Sequence, residues 1–201
     1  NKMIEAKLEK SEIEKLQTFF NATNKQLNNA SNYALREVIN WVKSQLIKRT
    51  ASETKIQQKP LTQKTSKGTA RIHSSVDKTN KTARLWFGTY KISLARLNPR
   101  QIGKGGSKKR KNSRAGVVAG VGGSIFRQGA FLMPIRKKTG EAGIVPYQVM
   151  KRAGRERLPI IKQTFDYSDK AIAIEREIMS QVPKKLADTL RAKLKWQTEK
   201  N

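Results

Sequence analysis

The stretch Gln101–Arg114, QIGKGGSKKRKNSR, places the strongest constraint on how this chain folds. It sets Lys104, Lys108, Lys109, Arg110, Lys111 and Arg114 among Gly103, Gly105 and Gly106, with no acid inside it. A segment that repels itself and carries almost nothing apolar has no surface to bury, so it is excluded from any core. It nevertheless lies in mid-chain, between two stretches with strand-like patterning. The sequence therefore predicts a folded scaffold from which a long basic loop departs, and loops of this kind bind or move. The functional question is which anion the loop meets.

The rest of the chain supports a basic partner surface. The formal net charge is +28 over 201 residues, self-repulsion that counter-ions or a polyanionic partner must offset. Between Glu53 and Glu141 the only acid is Asp77, and the other acids lie in the two ends. A short charge run is ordinarily a solvated surface. A basic middle flanked by mixed-charge ends points instead to one face turned towards a polyanion. With 36% apolar residues and a mean hydropathy of −0.69, a modest core with long polar helices or loops is expected. The length suits a single domain, residues 1–201.

Several function classes are disfavoured by residue inventory. Without cysteine there is no disulfide framework and no thiolate metal site. The single histidine, His73, sits in the mixed run Arg71-Ile72-His73-Ser74 and reads as an ordinary strand residue, so no Ser-His pair and no metal ligand set is expected. No run of 18 apolar residues spans a membrane, and no signal peptide is read; Met3 is the expected native start. Gly103 to Lys108 and Gly116 to Gly123 fit neither spacing of the phosphate-binding glycine loops. Carboxylates near the expected strands are limited to Asp77 and Glu141, while Asp166 and Asp169 flank a helix start, with Asp169 read as its cap. No catalytic, metal or cofactor site is expected.

Taken in order, the chain predicts an α+β fold: a small antiparallel sheet packed with long N- and C-terminal helices, and a long basic Gly-rich loop between strands. Helix is expected over 11–52, opened by the capping box Ser11-Glu12-Ile13-Glu14. Its apolar stripe is Leu16, Phe20, Leu27, Ala30, Ala34, Val38, Val42 and Leu46. Asn21 and Asn24 allow either one helix or two meeting there. Pro60 suits the start of a short helix over Leu61 to Ser66. The sheet, with the basic loop 101–114, is expected over 70–151, from strands at Ala70–Val76, Thr82–Phe87, Thr89–Leu97, Ala115–Gly123, Gly129–Ile135 and Ile144–Lys151. Trp86, Phe87 and Tyr90 are read as core side chains. A last helix over 168–197 carries Ile174, Ile178, Val182, Leu186, Leu190 and Leu194 at four-residue spacing, with a kink or break at Pro183.

For function, six basic residues in a glycine loop suit phosphate neutralisation without sequence readout, and duplex DNA more than single strands. Arg152, Arg155 and Arg157 form a secondary basic segment.

The second half of the chain resembles the minor tail protein Z family of lambda-like long-tailed bacteriophages. In that family a strand leads into a basic glycine loop, as Tyr90–Leu97 leads into Gly103–Arg114. A small apolar strand and a G-A-F segment follow, here Gly129-Ala130-Phe131. Then comes a stretch like V-M-Q-R-x-G-x-x-R-Y-P-I, here Val149 to Ile160, with Leu158 where the family tends to have Tyr. The family's R-L-P-K-E-L ending is echoed by Gln181-Val182-Pro183-Lys184-Lys185-Leu186, and its E-T-K-V step by Glu53-Thr54-Lys55-Ile56. The resemblance covers roughly Asn28 to Leu194.

It implies a non-enzymatic virion structural protein, made in the bacterial host cytoplasm, that completes the head-proximal tail end, joins tail to head and places the DNA end. Expected partners are other tail and head-tail connector proteins, further copies of the chain in a ring, and packaged double-stranded DNA in non-specific contact. The basic loop then faces DNA or an acidic neighbouring subunit. The alternative from residues alone is a sequence-nonspecific nucleic-acid-binding protein, ribosome-associated or chromatin-like.

Overall fold

The computed structural model describes residues 2–8, 10–63, 71–103, 115–135, 147–154, 156 and 158–199. In chain order the elements are β1 (Lys2–Lys7), α1 (Lys10–Phe19), α2 (Asn24–Thr54), α3 (Lys59–Thr62), β2 (Ile72–Asp77), β3 (Thr82–Phe87), β4 (Ile92–Ser93), β5 (Arg100–Ile102), β6 (Gly116–Ala119), β7 (Ile125–Gln128), β8 (Ala130–Pro134), β9 (Tyr147–Arg152), β10 (Ile160–Lys162), β11 (Thr164–Phe165) and α4 (Ser168–Glu199). The class is α+β, with long helices near both ends. Length predicted one domain; the chain divides into two compact units, the first built from Asn1–Thr50, Leu61–Thr89 and Asp169–Asn201, the second from Ala51–Pro60 and Tyr90–Ser168. The described strands form one antiparallel ladder in the first unit and three in the second, where a single sheet over 70–151 was expected.

In the first unit β3 is the centre of a sheet ordered β1–β3–β2. Period-two alternation turns Ile4, Ala6, Ala83, Leu85 and Phe87 inward, all buried, and leaves Glu5 and Arg84 exposed. The core is completed by the apolar stripes of the helices. Leu27, Ala30, Ala34, Val38, Val42 and Leu46 of α2 are buried, as are Ile174, Ile178, Val182, Leu186, Leu190 and Leu194 of α4. Each large aliphatic side chain so removed from water contributes about 1.5–3 kcal/mol. The Arg49–Glu177 and Lys193–Glu37 ion pairs join the two helices at the surface, where such pairs contribute about 1 kcal/mol or less.

Two helix boundaries differ from expectation. α1 begins at Lys10, so Ser11 lies inside its first turn. The working capping box belongs to α2: the Thr23 N–H donates to Gln26 Oε1 at 2.8 Å and the Gln26 N–H to Thr23 Oγ1 at 3.3 Å. Asn21, at φ 48°, turns the chain between two helices. At the other end α4 runs from Ser168 to Glu199 through Pro183 without breaking. Pro183 is exposed, and it removes one main-chain hydrogen bond, the one to the Met179 carbonyl.

In the second unit the ladders are β5–β6–β7, β10–β9–β8 and β11–β4. Residues Thr89–Leu97 were expected as one strand. Only Ile92–Ser93 is extended, and Leu94–Arg96 winds into a 3-10 turn closed by the Leu97 N–H on the Leu94 carbonyl. Burial explains this: Leu94, Ala95 and Leu97 are all covered, which alternation cannot achieve. Tyr90, expected in the core, is half exposed, whereas Phe87 is fully buried and Trp86 lies against His73 with rings 4.9 Å apart. Residues 116–119 are strand as expected, but Val121–Gly123 forms a 3-10 turn with positive φ at Gly122 and Gly123.

Candidate polyanion interface

Lys104, Lys108, Lys109, Arg110, Lys111 and Arg114 lie outside the described residues, as do Arg155 and Arg157. What is described is the base from which the basic stretch springs. β5 pairs with β6 in the register Arg100↔Val118, Gln101↔Val117 and Ile102↔Gly116. The stretch from 104 to 114 is therefore the closing segment of a β-hairpin. Its two ends are drawn together: a Cβ built on Gly103 would lie 3.2 Å from that of Ala115. Gly103 has φ 66°, a conformation open to glycine without strain.

The base is tied to the next hairpin through one side chain. Gln101 Nε2 donates to the Gly116 carbonyl at 3.0 Å and to the Ala130 carbonyl at 3.4 Å, and its Oε1 accepts the Leu132 N–H at 3.1 Å. Beside it the Gly129 N–H donates to the Ala115 carbonyl at 3.0 Å. β8 and β9 form that second hairpin, in the register Ala130↔Lys151 to Pro134↔Tyr147. Its closing segment, 136–146, carries Arg136, Lys137 and Lys138 and also lies outside the described residues. Pro134 is two residues beyond Leu132, about 7 Å along the strand.

The β5–β6–β7 ladder has two faces. Val117, Ala119 and Ile125 point inward and are buried. Arg100, Ile102, Phe126 and Gln128 are exposed on the other face, with the Phe126 ring lying over Gly116, where an added Cβ would meet it at 2.8 Å.

Of the secondary basic segment, Arg152 is described. It ends β9, half buried, with its guanidinium 5.8 Å from the centre of the Phe131 ring. Lys151 next to it is exposed and pairs with Ala130, the residue whose carbonyl Gln101 holds. Sequence reading passed over Gln101, Arg100 and Lys151. Lys151 was legible as a cation in a basic run, but nothing marks a glutamine as a strut before the pairing is known.

Near the C-terminal edge of this unit Asp166 accepts the Ser168 hydroxyl at 2.6 Å and the Ser168 N–H at 3.1 Å, and Lys91 stands 3.7 Å away. The Ser168 hydroxyl and N–H, and secondarily Lys91, hold the Asp166 carboxyl below the usual carboxylate range. Asp166, not Asp169, therefore caps the start of α4.

Among the described residues no group of three His, Cys, Asp or Glu side chains is placed to hold a metal ion. None of their helices is long and apolar enough to cross a membrane. Comparisons with protein-family models, curated proteins and solved structures returned no match.

Proposed function

We propose that this chain is a non-enzymatic structural protein of a phage or prophage tail, completing the head-proximal tail end for head-tail joining and placement of the DNA end. The observation that carries the reading is the locked base of the basic hairpin. Ile102↔Gly116 pairing and the three hydrogen bonds of Gln101 hold both ends of a segment with six cations and no acid. A rigid base that presents a cluster of cations suits contact with phosphate backbone, where charge neutralisation carries affinity without reading sequence. The motif order that resembles the minor tail protein Z family supplies the tail context. In this reading packaged double-stranded DNA is the first partner of the hairpin. The ladders and helices serve contacts with other tail and connector proteins and with further copies of the chain, in the virion tail.

The test is simultaneous neutralisation of Lys108, Lys109, Arg110 and Lys111 in the phage or prophage that encodes the chain. The reading expects particles with a misplaced DNA end or lost infectivity. Particles that assemble with unchanged DNA position and infectivity would remove the hairpin from this role. Failure of assembly itself would transfer it to an acidic protein neighbour.

A further inference from the structure

We propose that α1 and α4 of the first unit form a docking groove for an acidic segment of a partner protein, anchored by one large apolar side chain. The groove is lined by Lys15, Leu16, Phe19, Phe20 and Arg191 and has a volume of about 430 Å³. Its floor is apolar, and its rim carries two cations. Phe19 is 80% exposed and meets Phe20 edge-on, ring centres 4.9 Å apart and planes at 82°. Leaving Phe19 in water forgoes the burial free energy of a large aromatic ring, and such exposed anchors at a concave site are typical of binding hot spots.

Charge selects the occupant. Ion pairs of α4 join Glu177 to Arg49, Lys193 to Glu37 and Lys195 to Glu199 among the described residues. Lys15 and Arg191 take part in none of these, and both are exposed beside the apolar floor. Glu14 and Asp188, the acids next to them in sequence, do not line the groove, and among the described residues its lining is basic and apolar. A second copy of a chain with net charge +28 would meet like charge here. A segment with carboxylates flanking a Leu, Phe or Trp meets both the floor and the rim. The site lies in the first unit, in residues separate from the basic hairpin, so it stands or falls independently of the DNA contact.

The probe is a fluorescent peptide, Glu-Glu-Leu-Phe-Glu-Glu, with a control in which the Leu-Phe pair is Gly-Ser, read by anisotropy against the full chain. The full chain should bind the Leu-Phe peptide about tenfold tighter than the control, one hot-spot side chain's worth. Phe19→Ser should erase that preference, and Arg191→Glu should weaken both peptides. Circular dichroism spectra matching the parent would show that both variants fold. A variant with Lys108, Lys109, Arg110 and Lys111 neutralised should keep the tenfold preference. Equal affinity of the parent for the two peptides, or a preference that survives Phe19→Ser, would overturn the proposal. So would self-association of the parent, in sedimentation, that Phe19→Ser abolishes, because the face would then belong to a second copy.

Discussion

The side-chain oxygen of Gln101 accepts the backbone N–H of Leu132 at 3.1 Å, joining the basic hairpin to its neighbour. The same carboxamide donates to the carbonyls of Gly116 and Ala130. Gln101→Ala removes all three bonds and leaves carbonyls of the buried Gly116 and Ala130 without that partner, so it should destabilise the protein by about 1–3 kcal/mol. Urea denaturation measures that loss. Amide exchange at Leu132 should quicken in the variant while exchange at Leu85, in the other unit, stays as it was.

Gly116 admits no side chain. A Cβ there would stand 2.4 Å from the Arg127 carbonyl oxygen and 2.8 Å from the Phe126 ring. Gly116→Ala should therefore cost about 1–3 kcal/mol, because a strand backbone must shift. At Gly122, with φ 63° and nothing within 4 Å, alanine meets only backbone strain, about 1 kcal/mol. Thermal or urea unfolding of the two variants should rank them in that order.

Asp77 supplies a pH-dependent contribution. Its carboxylate accepts the N–H groups of Asn80 and Thr79 and the Asn80 side chain, at 3.1, 2.9 and 2.7 Å. The Asn80 backbone and side-chain bonds hold its carboxyl below the usual carboxylate range. A carboxyl depressed on folding stabilises the fold above its unfolded pKa, and that contribution fades as pH falls through the folded value. Asp77→Asn should thus be less stable than the parent at neutral pH, and the difference should close below pH 3.8. Urea midpoints across pH 2 to 7 read this, using about that range.

Pro183 lies within an uninterrupted α4, where it removes a hydrogen bond and crowds the preceding turn. Because its side chain is exposed, Pro183→Ala should lose no packing and stabilise by about 1–3 kcal/mol. An unchanged or lowered melting temperature would mean that the ring supports a contact of its own.

Much of this architecture was readable from periodicity. The four-residue spacing from Ile174 to Leu194 and the stripe from Leu27 to Leu46 marked buried helix faces, because each falls on one side of a 3.6-residue turn. β1 escaped notice although Ile4, Ala6 and Leu8 alternate with Glu5 and Lys7. Six residues ahead of a helix signal little until β3 is there to pair with them. The 3-10 turn at Leu94–Arg96 was misread because an apolar run reports burial and not backbone shape. At the candidate interface the charges were plain and their support was not. Gln101 acts through long-range bonds to Ala130 and Leu132, which local sequence does not encode.

The most direct measurement of the central claim is duplex DNA affinity as a function of salt, for the parent and for the chain with Lys108, Lys109, Arg110 and Lys111 neutralised. The account predicts that log K falls steeply with log salt in the parent, and that the four substitutions flatten the slope by about 3–4, close to one unit per lost phosphate contact. A parent that does not bind duplex DNA, or a slope unchanged by the substitutions, would contradict it.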